Sequence, residues 1–257
     1  MLKRAAIALV LTVSLVGCDP ATSASSGPSP SATAHATSAA PSPSPSPSPS
    51  PTPEVSYPLQ GSGTYRTAAG SSAVLGHAGT LLRYQVVEER GIWHLPVADF
   101  AADVDTILGD PRDWTAGGDW RLQRVGPGKY HDFTIYLVTP VTRDRLCGAA
   151  FDRYTSCRNG NAVVINISRW MHGVPYYHSL TEYREYAISH EVGHRLGNGH
   201  ELCPGKGKPA PTMEQQTLGL HGCTPNPWPY LHGERYAGPQ GEYPLIVPTD
   251  PHSYYRS

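Results

Sequence analysis

Three histidines and a glutamate lie within one short stretch of the chain, at spacings that suit a zinc site. His190 and His194 are four residues apart, so on an α-helix both imidazoles lie on one face and can reach one metal ion. Gly197 can end that helix, because a residue without Cβ adopts a positive φ, and the turn can bring back His200 as a third ligand. Three protein ligands leave a fourth tetrahedral position for water, as in catalytic zinc sites.

Glu191 directly follows the first histidine and can act as a general base on that water. The complete motif is H-E-x-x-H-x-x-G-x-x-H. From the residue frequencies of this chain, about 10⁻⁴ chance matches are expected, so accident is a weak explanation.

The helix that must carry the motif has a recognisable start. Ser179 and Glu182 have the spacing of a capping box, which predicts a helix over Leu180–Leu196. Residues on a second face of this helix form an apolar stripe that we expect to pack on the core: Ile188, Val192 and Leu196.

The motif resembles that of the metzincin clan of zinc endopeptidases, in which the same string precedes a turn that carries a methionine beneath the metal. Met213, in a proline-rich loop after the third histidine, is the matching methionine. The resemblance implies an α+β fold with a twisted mixed β-sheet, a long zinc-binding helix and a small irregular C-terminal subdomain with the Met-turn. It also implies Zn²⁺ as the cofactor, polypeptide substrates and Glu191 as the base.

Two residues separate the chain from particular metzincin subfamilies. Gln215 stands two residues after Met213, where some members carry a tyrosine ligand. Glu201 follows His200 as it does in astacins, but Gln215 argues against that subfamily. The layout is more closely similar to a family of zincin-like domains in secreted actinobacterial proteins, over residues 57–230.

An alternative ligand set replaces His200 by Glu214. Glu214 lies twenty residues after His194, a spacing that is compatible with the gluzincins. The intervening G-x-x-H and the lack of a helical pattern around Glu214 favour the three-histidine set.

The N-terminus has the pattern of a bacterial lipoprotein signal peptide. Lys3 and Arg4 precede an apolar run, Ala5–Val16, which is too short to span a bilayer as a helix. The small residues before Cys18 resemble a lipobox, which implies a signal peptide over residues 1–18 and lipidation of Cys18. We therefore expect a protein anchored to the outer face of the cytoplasmic membrane. The alternative is an ordinary secretory signal with an incidental cysteine.

Residues 19–56 are rich in proline and serine, with strict Ser-Pro alternation over 41–51. Such a segment cannot bury enough apolar surface to fold, so we expect a disordered, extended linker. Residues 57–257 then form one domain, expected to be a monomer. The formal net charge is −1 and there is no basic run, which argues against nucleic acid as a partner.

Four cysteines remain after Cys18, and an even number in an exported domain predicts two disulfides with three connectivities open. Proximity in the sequence favours Cys147 with Cys157, and Cys203 with Cys223. The second pair would close the loop that carries Met213.

Periodicity predicts further elements before the zinc helix. The predicted strands are 81–88, 120–125, 133–139 and 161–168, and a helix is predicted over 96–108. The strand before the zinc helix borders the substrate cleft in metzincins, so residues 161–168 are expected to pair with extended substrate. The alternative is a buried strand without a ligand role.

These residues together predict a zinc-dependent endopeptidase that acts on extracellular or cell-envelope polypeptides, with Glu191 as the base. Two other functions stay open. One is a non-catalytic, zinc-containing lipoprotein that binds cell wall or protein, and the other is an amidase that acts on peptidoglycan peptides.

Overall fold

A computed structural model of the chain describes residues 54–148 and 151–256. The predictions for the signal peptide and for Cys18 lie outside the described residues, as does most of the predicted linker. Ser56 already pairs with Trp93 through two main-chain hydrogen bonds of 3.2 and 2.9 Å. Ser56, the last residue of the predicted linker, is therefore hydrogen-bonded into the folded domain.

A twisted mixed sheet forms the centre of the fold. Its strands are β1 (Tyr65–Thr67), β2 (Thr80–Glu89), β3 (Trp120–Arg124), β4 (Phe133–Val138), β5 (Cys157–Asn159) and β6 (Ala162–Asn166). The order is β1-β2-β4-β6-β5, and β3 pairs with the first half of β2. The pairs β2–β3, β2–β4 and β4–β6 are parallel, whereas β1 and β5 run antiparallel to their neighbours.

Within the described residues, four α-helices accompany the sheet: α1 (Val97–Leu108), α2 (Pro140–Cys147), α3 (Ile167–His172) and α4 (Leu180–Arg195). After α4 the chain is largely irregular, with a ribbon of β7 (Tyr230–Leu231) and β8 (Glu234–Arg235) and a short 3₁₀ helix, His252–Tyr254. This mixed α/β architecture agrees with the predicted α+β class. Among the described residues, no helix is both long enough and apolar enough to cross a membrane.

The long helix α4 forms where its sequence predicts. Ser179 Oγ accepts a hydrogen bond of 3.2 Å from the backbone N–H of Glu182, which satisfies one of the free N–H groups at the helix start. The predicted stripe is confirmed, because Ile188 and Val192 are fully buried in the main core and Leu196 packs against it. One face of α4 is thereby fixed on the sheet.

The expectation for residues 161–168 is wrong in two respects. The strand β6 ends at Asn166, because the Asn166 side chain accepts a hydrogen bond of 3.0 Å from Ser168 N and so caps α3. In addition, β6 lies between β4 and β5, so it is an interior strand rather than the border of a cleft. The strand at this edge of the sheet is β5.

A second contact holds α4 through a hydrogen bond to its backbone. The 3₁₀ helix Trp114–Gly117 lies against α4, and Trp114 Nε1 donates a hydrogen bond of 2.7 Å to the carbonyl of Ser189. The preceding residue, Asp113, is completely buried, and neither of its carboxylate oxygens has a hydrogen-bond partner in the described part of the chain. Burial raises the pKa of Asp113 to about 8.

This raised pKa predicts that Asp113 makes stability depend on pH. The folded state holds the proton up to about pH 8, whereas the unfolded chain loses it near its ordinary pKa of about 4. The stabilisation is complete below that ordinary pKa and is lost as the pH rises towards 8. Between pH 5 and 7, wild type should lose up to about 1.4 kcal/mol per pH unit relative to Asp113→Asn, measured by denaturant unfolding. The control is Asp119→Asn, at an exposed carboxylate nearby. Parallel curves for wild type and Asp113→Asn would contradict the prediction.

Candidate metal centre

The three histidines of the motif converge on one point. The Nε2 atoms of His190 and His194 are 3.1 Å apart, and those of His194 and His200 are 3.0 Å apart. Nitrogen ligands about 2.0–2.1 Å from a tetrahedral zinc ion would lie about 3.3 Å from one another. The separations are close to this value, so the three rings could hold a metal ion.

The ring nitrogens that face away from this point are bound to main-chain oxygens in two of the histidines. His190 Nδ1 lies 2.8 Å from the carbonyl oxygen of Thr212, and His194 Nδ1 lies 2.9 Å from that of Asn198. A carbonyl can only accept, so each Nδ1 carries the hydrogen and each Nε2 presents a lone pair. These contacts set both the tautomer and the direction of the rings.

The third histidine has a different partner. His200 Nδ1 lies 2.9 Å from Oε1 of Glu242, in the C-terminal part of the chain. This contact also leaves Nε2 of His200 free to bind a metal ion. Glu242 has no counterpart in the prediction from sequence.

Burial keeps the first two histidines neutral. It lowers the pKa of His190 well below the ordinary value and that of His194 to about 4, with the neighbouring rings acting in the same direction. Metal binding needs the neutral imidazole, because a protonated ring has no lone pair to offer. Both rings are therefore in the binding form at neutral pH.

The turn after α4 places His200, as predicted. Gly197 has φ +98°, a conformation that glycine adopts readily. Asn198 stabilises the turn by donating two hydrogen bonds of 3.0 Å to the carbonyl of Gly193, one from its backbone and one from its side chain. The chain thus reverses within a few residues of His194.

Met213 lies directly against α4. It is fully buried, and a Cβ added at Gly193 would lie 2.5 Å from Met213 Sδ and 2.6 Å from Trp114 Cζ2. Residue 193 must therefore be glycine for Met213 and Trp114 to lie this close to the helix. Thr212, which holds His190, is the residue before Met213, so one loop supports both the helix and a ligand.

Glu191 faces the same site. It is 5% exposed, and its Oε2 atom has no hydrogen-bond partner among the described residues. Burial raises its pKa to about 8, while Arg143 and Arg158 act in the opposite direction. A buried carboxylate of this kind, next to the converging histidines, can accept a proton from a water at the site.

The histidines and Glu191 open onto a cleft of about 570 Å³. Strand β5 borders the cleft through Cys157 and Arg158, and the segment after Met213 borders it through Thr217 and Leu218. Gln215 also lines the cleft, and its side-chain oxygen accepts a hydrogen bond of 3.3 Å from Tyr243 N. A cleft of this volume can hold a ligand much larger than a water molecule.

Two acidic residues considered from sequence do not join the histidines. Glu214 is buried beside His221, 3.3 Å from its Nδ1, and its neighbours of ligand type are Cys203 and Cys223. The alternative set with Glu214 in place of His200 is therefore not assembled. Glu201 instead accepts a hydrogen bond of 2.8 Å from Arg235, in β8.

Both disulfides have the predicted connectivity, Cys147 with Cys157 and Cys203 with Cys223. The first joins the end of α2 to the edge strand β5. The second closes the loop that contains Thr212 and Met213. Each disulfide therefore ties down one border of the cleft.

Comparison with known proteins assigns the chain to a family. A family model described as "Protein of unknown function (DUF3152)" matches residues 52–226, more than half of the chain, so the protein belongs to this family. The match includes all three histidines, Glu191 and Met213, and it ends before Glu242. No curated protein and no solved structure shows significant similarity to the chain.

Because Met213 and Trp114 lie so close to Gly193, we expect Gly193→Ala to lower the free energy of unfolding, the opposite of its usual effect in a helix. In a helix, alanine is ordinarily favoured over glycine by about 1 kcal/mol. Here the added methyl group would overlap Met213 and Trp114, and overpacking of this kind typically costs about 1–3 kcal/mol. We expect net destabilisation in denaturant unfolding. The double variant Gly193→Ala, Met213→Ala should lose less than the sum of the two single losses, and simple additivity would contradict this packing.

The converging rings also predict which residues bind metal. His200→Ala should lower the affinity for Zn²⁺ strongly, because it removes one of three ligands, whereas Glu214→Ala should leave the affinity close to wild type. Competition with a chromogenic chelator measures both. Retained affinity in His200→Ala with loss in Glu214→Ala would reverse the ligand assignment.

Proposed function

We propose that this protein is a zinc-dependent metalloendopeptidase that hydrolyses peptide bonds of polypeptides outside the cytoplasm. The observation that carries the proposal is the position of Glu191, a buried carboxylate with an unpaired oxygen beside three converging imidazoles and open to a cleft. Metal binding alone does not need that carboxylate. Peptide hydrolysis does need it, as a general base.

Each group would have a defined task. Zinc, when bound by the three Nε2 atoms, supplies a Lewis acid that polarises the scissile carbonyl and lowers the pKa of water. Glu191 accepts the proton of the attacking water and later donates it to the leaving amine. A base whose pKa lies near the working pH serves in both directions, and burial moves that of Glu191 towards neutrality.

The border of the cleft supports an extended peptide as the substrate. Strand β5 pairs with β6 on one side, and among the described strands no other pairs with it. An edge strand presents free N–H and C=O groups, to which a peptide can add as a further strand. This role replaces the one expected of residues 161–168.

The metzincin assignment is part of the same proposal. It is supported by the glycine turn that returns His200, by the loop that carries Thr212 and Met213 beneath α4, and by the antiparallel strand at the edge of the sheet. A lipid anchor on Cys18 and an extended linker would hold the enzyme at the outer surface of the membrane.

Loss of Glu191 should separate metal binding from cleavage. In a peptide mixture analysed by mass spectrometry, Glu191→Ala and Glu191→Gln should cleave at least about 10²–10⁴ times more slowly than the zinc-loaded wild type. Their zinc content should be unchanged, because the histidines are intact. The control is Glu185→Gln, at a half-buried glutamate on the same helix outside the cleft lining.

Removal of zinc by a chelator should abolish cleavage, and added Zn²⁺ should restore it. If folded, zinc-loaded wild type cleaves no peptide, the peptidase proposal fails. The non-catalytic binding role would then gain support, and digestion of peptidoglycan would test the amidase role.

A further inference from the structure

The C-terminal part of the chain runs directly beside the third histidine. Gly241 N donates a hydrogen bond of 3.1 Å to the carbonyl of His200, and Leu202 N donates one of 2.7 Å to the carbonyl of Pro239. Gly238 N lies 3.3 Å from a carboxylate oxygen of Glu201. Residues 238–241 therefore lie alongside residues 200–202 and support the backbone that carries His200.

The next residue, Glu242, reaches the ring of His200 itself. Its Oε1 accepts the 2.9 Å hydrogen bond from His200 Nδ1, whereas His190 and His194 are bound by neutral carbonyls. A carboxylate bound to the far nitrogen of a metal-binding histidine fixes the ring and raises its basicity. The donor to the metal is then stronger than with a carbonyl partner.

Residues after Glu242 are held at two further points. The ring of Tyr243 stacks on His221 with centroids 3.3 Å apart, and its hydroxyl accepts a hydrogen bond of 3.2 Å from Cys203 N. Asp250 forms an ion pair with Arg169, and both side chains are less than 5% exposed. Glu242 is thus presented by an anchored segment rather than by a free end.

The segment between these anchors belongs to the cleft. Leu245 and Val247 both line it, together with Glu242. One continuous stretch of chain therefore contacts a metal ligand and also forms part of the wall that a substrate would meet.

We propose that Glu242 is a positioning residue for the metal centre: it orients His200 and strengthens its bond to the metal ion. The inference rests on the three-histidine centre of the proposed function, and it adds a residue beyond the end of the family match at 226. The alternative is an incidental surface contact, since the Glu242 side chain is 69% exposed and exposed ion pairs contribute little to stability. The two explanations differ in their effect on metal affinity.

The experiment compares full-length wild type with Glu242→Ala and Glu242→Gln, and Glu234→Ala, at an exposed glutamate in β8, is the matched control. Affinity for Zn²⁺ is measured by chelator competition, and the visible spectrum of the Co²⁺ form reports the ligand geometry. Glu242→Ala should bind Zn²⁺ about 10- to 100-fold more weakly and change the Co²⁺ spectrum. Glu242→Gln keeps an acceptor without the charge and should lie between Glu242→Ala and wild type.

Unfolding of the metal-free proteins distinguishes positioning from a structural role, and all four should melt at similar temperatures because Glu242 is mostly exposed. Wild-type affinity and an unchanged Co²⁺ spectrum in Glu242→Ala would overturn the inference. An equal loss in Glu234→Ala would overturn it too. Neither result bears on whether wild type cleaves peptides. Conversely, absence of cleavage by zinc-loaded wild type would overturn the proposed function and leave the role of Glu242 intact.

Discussion

The close approach of three imidazoles is the constraint on which the candidate site depends. Nε2 of His194 lies 3.0–3.1 Å from Nε2 of each of the other two, and lone pairs this close repel one another unless a cation lies between them. Each ring is therefore held from behind, by Thr212, Asn198 or Glu242. The three supports come from separate parts of the chain, and much of the irregular region after α4 serves to bring them together.

Helix α4 is likewise held by residues from separate parts of the chain. Trp114 donates a hydrogen bond to the carbonyl of Ser189, and Met213 packs together with Trp114 against Gly193. Because side chains in a close-packed interior cannot shift independently, these contacts fix the rotation of α4 about its axis. That rotation decides whether His190, Glu191 and His194 face the cleft. The rigid helix therefore sets the direction of these three side chains, while His200 depends on the irregular region after it.

Local patterns predicted the elements whose stabilising contacts are themselves local. The helix α4, its Ser179 cap and the turn at Gly197 each depend on neighbours within a few residues, so the sequence was sufficient. Strand β5 has three residues and no measurable alternation, and it was missed in favour of the longer apolar run of β6. The contact of Glu242 with His200 spans 42 positions, and no spacing rule could indicate it. The cysteine pairs were predictable because proximity in the sequence coincided with proximity in space.

The Cys203–Cys223 disulfide closes one border of the site covalently. It encloses Thr212 and Met213 in a covalent ring, and Thr212 in that ring binds the ring nitrogen of His190. The ring stays closed whether or not the three histidines hold an ion, so the carbonyl that orients His190 is kept in its loop by a covalent bond.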